Sequence, residues 1–178
     1  RVRLNVEAKC REVARPLMDL VLERGAQERV LLAAEHERNR ARARNYPGPR
    51  GASRAHLLPF WILHATPFSW LYTPEVDALQ VPPSHRGRQI VTRRFVEEAH
   101  RRNIPVHVWT IDDPAQMRRL LALGVDGIQT DRPDILAQVL HEFTGRPLPP
   151  GLQGPQAGVD TSPRDATGPE QPGRGPAS

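Results

Sequence analysis

Glu7 and Lys9 are the residues of this chain best placed to do chemistry. They stand two positions apart in the opening run RVRLNVEAKC, and Lys9 is the only lysine in the sequence. Alternation along Val2–Ala8 puts Val2, Leu4, Val6 and Ala8 on one face of a strand. Arg3, Asn5, Glu7 and Lys9 share the other. A carboxylate suits a hard divalent cation such as Mg2+ or Ca2+, and a lysine ammonium meets phosphate as a compact point charge. The pair therefore describes part of a site for a metal ion and an anionic substrate. A single carboxylate does not hold such a cation, so further ligands are needed. The same spacing also fits an ion pair built for architecture.

Other rim positions follow from the elements that must carry them. VLLAA (30–34) reads as a strand ending at Glu35 and His36, and ALQV (78–81) as one carrying Gln80 near its end. VHVWTI (106–111) ends at Trp109 and Asp112, and GIQT (127–130) at Asp131. In parallel α/β folds the functional groups gather at these C-terminal strand ends.

Helices alternate with the strands. Val13, Leu17, Leu20 and Val21 recur at helical spacing up to Gly25, and Pro16 places the start of the regular helix near itself. An Arg-rich helix is expected to about Tyr46, a weak turn or strand near 47–53, and an apolar helix over 55–70. Thr92 caps a helix carrying Phe95, Val96 and Ala99, with Val91 and Val96 at the staple positions. Asp113 caps the next, with Pro114 at its first position and Gly124 past its end. Pro133 starts a last helix with Ile135, Leu136, Val139, Leu140 and Phe143 on one side.

This alternation means parallel βα units, in an open doubly wound sheet or a (β/α)8 barrel. A buried strand of an open sheet is usually apolar on both faces. The polar face of Val2–Ala8 suits a barrel strand whose apolar face meets the helix ring and whose polar end opens into the upper lumen.

The 178 residues suffice for one domain with a core. The net charge of +5 reflects an arginine-biased composition rather than a nucleic-acid partner. NRARARN (39–45) forms no single basic stripe and reads as a solvated helix face. The lone Cys10 excludes an internal disulfide and is expected to be partly buried. LLPFWILHATPFSWLY (57–72) is interrupted by Pro59 and Pro67 and falls short of the roughly 20 residues a spanning helix needs. It reads as a buried or lid-like helix, with a membrane-touching patch as the second reading. From Gly145 to Ser178 the chain is rich in Pro and Gly and is expected to be a disordered tail, leaving 1–144 as the folded part.

The run VHVWTIDDPAQMRRLLALGVDGIQTDRPDIL (106–136) closely resembles the C-terminal end of glycerophosphodiester phosphodiesterases. LNVEAK (4–9) looks like that family's Glu-hydrophobic-Lys strand, and ALQVP (78–82) followed by VTRRFVEEAHRRNIPVHVW (91–109) matches in order and spacing. The resemblance implies a metal-dependent (β/α)8 TIM barrel of the phospholipase-C-like phosphodiesterase type. It implies cleavage of small-molecule glycerophosphodiesters to an alcohol and glycerol 3-phosphate. Glu7 would be a ligand of the divalent cation, Mg2+ or Ca2+. Lys9 would neutralise the phosphate in a catalytic role, and Trp109 would wall the substrate pocket.

The family's early motifs, which supply two histidines and two metal carboxylates, have no match here. About six strands can be counted, where eight close such a barrel. The expectation is an incomplete barrel with the first two strands missing, inactive by itself. An upstream stretch of roughly 60–100 residues would carry the missing motifs. SHRG (84–87) does not replace them, because His85 follows Pro83 and Ser84 in what reads as an exposed loop. His36 could approach the site from its rim, and His107 reads as a lumen hydrogen-bonding group. Two alternatives stay open: a non-catalytic truncated relative, and a lipid-headgroup phosphodiesterase of the same superfamily touching lipid through 57–72.

Overall fold

The computed structural model describes residues 2–152. Strand β1 (Leu4–Glu7) lies parallel to β2 (Val30–Ala33), with Leu4 opposite Val30 and Glu7 opposite Ala33. Helix α1 (Arg11–Glu23) connects them, and a single turn, α2 (Glu37–Arg40), follows. The chain then returns beside β2. Leu32 bridges Arg50 and Gly51 bridges Ala78, both in the parallel sense. Helix α3 (Arg54–Leu63) leads to β3 (Leu79–Val81). An antiparallel hairpin of β4 (Ser84–His85) and β5 (Arg88–Gln89) precedes helix α4 (Arg93–His100). Then come β6 (Val106–Val108), α5 (Pro114–Leu123), β7 (Gly127–Ile128) and α6 (Pro133–Thr144).

Strand β6 lies between β3 and β7, parallel to both. The two bridges at 50–51 link this sheet to the β1–β2 pair. Six segments thus form one parallel arc in chain order: β1, β2, residues 50–51, β3, β6 and β7. Among the described residues the arc does not close, and the outer edges of β1 and β7 have no partner strand.

The helix ends follow local chemistry. Thr92 Oγ1 accepts the Phe95 amide at 3.1 Å, and an Asp113 carboxylate oxygen accepts that of Gln116 at 2.6 Å. Val91 and Val96 are both buried, as a staple requires. Two apolar clusters result. The larger gathers Phe60, Leu79, Phe95, Val106, Ile111 and Leu120 behind β3, β6 and β7. The smaller gathers Ala8, Ala14, Met18, Val21, Leu32 and Tyr46 behind β1 and β2.

Several expectations are corrected. Helix α1 starts at Arg11 and carries Pro16 inside it. The proline withholds one N–H from the Glu12 carbonyl, in an exposed first turn where water can serve. Only the end of the apolar face of β1 is covered: Ala8 is buried and Val6 half-buried, while Val2 and Leu4 are 72% and 52% exposed. Cys10 is exposed at the head of α1 rather than partly buried. The Arg-rich helix is only one turn long, and its Arg40 is buried rather than solvated. Arg40 donates to the Gly51 carbonyl at 2.6 Å and to Glu37 at 2.6 Å, and so fastens α2 to the third segment of the arc.

Helix α3 ends at Leu63, and a separate tight turn covers Ser69–Leu71. The apolar segment is not buried throughout, because Leu58, Ile62, Phe68, Trp70 and Leu71 are exposed. Phe143, at the end of α6, is exposed too. No helix among the described residues is long and apolar enough to cross a membrane. Residues 145–152 contain no helix or strand, and the rest of the expected tail lies outside the described residues.

Candidate active site

The C-terminal ends of all six segments open onto one cleft of about 1110 Å³. Strand β1 brings Asn5, Glu7 and Lys9; β2 brings Glu35; β3 brings Gln80; β6 brings Trp109; and Gln129 follows β7. The period of two decides which residues enter. Asn5, Glu7 and Lys9 face the cleft, while Val6 and Ala8 face the smaller cluster.

The Lys9 ammonium donates to Glu7 Oε2 at 2.5 Å. The Glu7 side chain is 35% exposed and that of Lys9 78%, so the pair is wet and worth little to stability. Its position at a concave rim makes it available to a ligand. Arg54 pairs with Glu35 at 2.6 Å on the same wall. Trp109 is 43% exposed and offers a flat apolar surface to the cleft. Leu57, Leu58 and Trp61 of α3 supply an apolar side, so this helix is lid-like on one face only.

Of the other residues singled out in the sequence, Glu35 and Gln80 reach the cleft and His36, Asp112 and Asp131 do not line it. His36 is taken up at the head of α2. Asp112 braces the turn after β7, accepting Thr130 Oγ1 at 2.7 Å and the Asp131 amide at 2.8 Å. These hydrogen bonds, that from Thr130 first, hold its carboxyl below the usual range. The His107 ring packs against Gly127 and has no hydrogen-bond partner among the described residues, where a lumen bond was expected. Burial keeps its imidazole below the ordinary 6.5, opposed by the Asp126 charge.

The hairpin is the largest departure from expectation. His85 is exposed, yet it belongs to a paired strand, and with Arg86 and Arg88 it lines the cleft. Arg54, Arg86 and Arg88 were not foreseen as site residues. The only local signal for the last two was the RG dipeptide at 86–87, a turn cue of the hairpin kind.

The fit to a divalent cation is partial. Among the described residues no three His, Cys, Asp or Glu side chains come together to hold a metal ion. Glu7 is engaged by Lys9 and Glu35 by Arg54. These residues offer a ligand and not a ligand set.

Residues 51–135 match the model of the glycerophosphoryl diester phosphodiesterase family. A probable glycerophosphodiester phosphodiesterase 2 of Mycobacterium tuberculosis is 33% identical over 145 residues, covering 78% of this chain and 55% of the relative. The chain thus spans about half the length of that relative. A dermonecrotic toxin of Loxosceles deserta is 54% identical over 37 residues, 21% of this chain and 14% of the toxin. A glycerophosphodiester phosphodiesterase structure from Parabacteroides distasonis superimposes with a TM-score of 0.59 at 19% identity, covering 79% of this chain and 58% of that one. One from Agrobacterium tumefaciens, described as a glycerophosphoryl diester phosphodiesterase, gives 0.61 at 15% identity over 82% and 60%. At these identities the two structures show a shared fold.

Proposed function

We propose a function from the premise that this chain belongs to the glycerophosphoryl diester phosphodiesterase family. It forms part of a hydrolase that cleaves glycerophosphodiesters to an alcohol and glycerol 3-phosphate. The observation that carries this reading is Glu7 and Lys9, paired at 2.5 Å, sharing one cleft with Trp109. Water oxygen forms the new bond to phosphorus and the bond to the alcohol oxygen breaks; the water gives up one proton and the departing alcohol takes one up. Lys9 neutralises the diester anion and the charge that grows on it. Trp109 walls the side on which the glycerol lies. Glu7 would be one ligand of a divalent cation, Mg2+ or Ca2+, and that cation would supply polarisation of the phosphoryl group. Such a cation needs further ligands beyond Glu7.

The scaffold is a (β/α)8 barrel of which residues 1–144 form the C-terminal part, and this part alone is inactive. Two observations support that reading. Among the described residues the arc has two unpaired edges, and Val2 and Leu4 stand exposed at one of them. A bare apolar edge strand is normally covered or paired.

The test uses the natural protein that carries this chain. Release of glycerol 3-phosphate from glycerophosphocholine is measured against added Mg2+ and Ca2+. Glu7→Gln is expected to lower kcat/KM at least about 100-fold, from the several kcal/mol a metal-polarised oxygen contributes. Full activity of this variant at saturating metal leaves Glu7 a structural residue and sinks the proposal.

A further inference from the structure

The hairpin has no role in closing the parallel arc. A connection from strand to helix in such units usually takes about 2–6 residues. Here the chain runs from Val81 to Arg93 and inserts two short strands on the way. The turn places Arg86 at φ 49° and Gly87 at φ 75°. Such two-residue turns favour Asn-Gly or Asp-Gly, because both central residues are left-handed. Arginine at the first central position is therefore not explained by the turn.

Charge on the cleft wall points the same way. Lys9 is paired with Glu7, and Arg54 with Glu35. Neither Arg86 nor Arg88 forms an ion pair with any described carboxylate, and both are exposed to the cleft. Beyond the paired groups, the hairpin thus adds two guanidinium charges opposite no acid. Guanidinium offers forked donors that match phosphate and carboxylate oxygens. The cleft, at about 1110 Å³, has room for more than a small diester.

Resting on the proposed hydrolase reading, we propose that Arg86 and Arg88 form a leaving-group subsite selecting glycerophosphodiesters whose alcohol carries a further anionic group. The scissile phosphate stays with Lys9, and the second anion meets the hairpin. A cationic alcohol such as choline is disfavoured there by like charge.

Two substrates test this on the natural protein carrying this chain: glycerophosphocholine and glycerophosphoinositol 4-phosphate. The expected kcat/KM is about tenfold or more in favour of the inositol phosphate at low salt, the effect of one charge-assisted contact. Raising the salt lowers the preference, because exposed charges are screened. Arg86→Gln with Arg88→Gln, both on an exposed hairpin, is expected to bring the ratio within about threefold of one, as two such contacts are lost. Melting of the variant verifies that it folds. A wild-type ratio near or below one overturns the subsite, as does a preference that survives the double substitution. Hydrolysis of neither substrate overturns the hydrolase reading, and the subsite with it.

Discussion

The two apolar clusters divide the molecule into regions of unlike character. Behind β3, β6 and β7 the core is built from Phe60, Phe95, Leu79, Ile111, Met117 and Leu120. Behind β1 and β2 four of the nine buried residues are alanines, Ala8, Ala14, Ala26 and Ala43, beside Met18, Val21, Val30, Leu32 and Tyr46. Most of the largest fully buried side chains belong to the first region. The second leaves Val2, Leu4, Val13 and Leu20 exposed. Yet the second carries Glu7, Lys9 and Glu35, the acidic and lysine groups of the cleft. The cleft thus draws its acidic and lysine groups from the more weakly packed region and Trp109, Arg86 and Arg88 from the other. The acidic and lysine groups are held on the side of the sheet that most needs a neighbour.

A like-for-like truncation would break this comparison most directly. Leu79 opens β3 and Leu32 lies inside β2, and the two are 0% and 2% exposed. Leu79→Ala is expected to cost about 4–5 kcal/mol, near the top of the range for buried leucines, because large neighbours cannot collapse onto the void. Leu32→Ala is expected to cost about 2–3 kcal/mol, because a smaller cluster with four alanines, one strand in from the open edge, can relax more. Denaturant unfolding measures both. Equal costs would mean that the two clusters behave as one core.

A smaller effect sharpens the reading of the β6–β7 contact. A Cβ on Gly127 would stand 2.8 Å from His107 Cδ2 and 3.2 Å from Cγ. Because Cγ as well as the ring edge is close, rotation of the imidazole about its own axis does not relieve the contact. Gly127→Ala is therefore expected to destabilise by about 1–3 kcal/mol. Adding His107→Ala should recover part of that loss, as a double-mutant cycle reports. Additive losses would place the strain elsewhere.

The same two regions differ in how legible they were. Caps at Thr92 and Asp113, and the stop at Gly124, depend on neighbours within a few residues, so the last third could be read from its sequence. The strand-end rule placed Glu7, Lys9 and Trp109 on one rim for the same reason, since a period of two fixes which face a side chain leaves. The burial of Arg40 was not legible. It depends on a carbonyl at Gly51, brought near only when the third segment joins the arc. The exposure of Leu4 depends on what stands beside the strand rather than on its alternation. Arg54, Arg86 and Arg88 were missed because a helix start and a hairpin reach the cleft through tertiary approach alone.

The smallest expected effect concerns acid, and it separates the regions by their histidines. His64 is 8% exposed, its ring stacked on Phe60 at 6.3 Å and edge-on to Phe95 at 5.4 Å. Burial holds its pKa below the ordinary 6.5, against a hydrogen bond to the Trp61 carbonyl at 2.5 Å, and Arg94 adds to the depression. His107 is depressed by burial in the same region. Above pH 6.5 neither the folded nor the unfolded chain holds these protons, and stability does not change with pH on their account. As the pH falls through 6.5 the unfolded chain takes protons that the native rings refuse, so stability is lost until the folded values are reached. Denaturant midpoints at about pH 7.5 and 5.5 should therefore differ, on either side of the ordinary histidine range. In the His64→Gln, His107→Gln double variant the difference should shrink, although the variant is less stable at both. An undiminished fall would assign the acid sensitivity to other groups, among them His56, whose imidazole burial also holds below 6.5, and His64 and His107 would then be packing groups only.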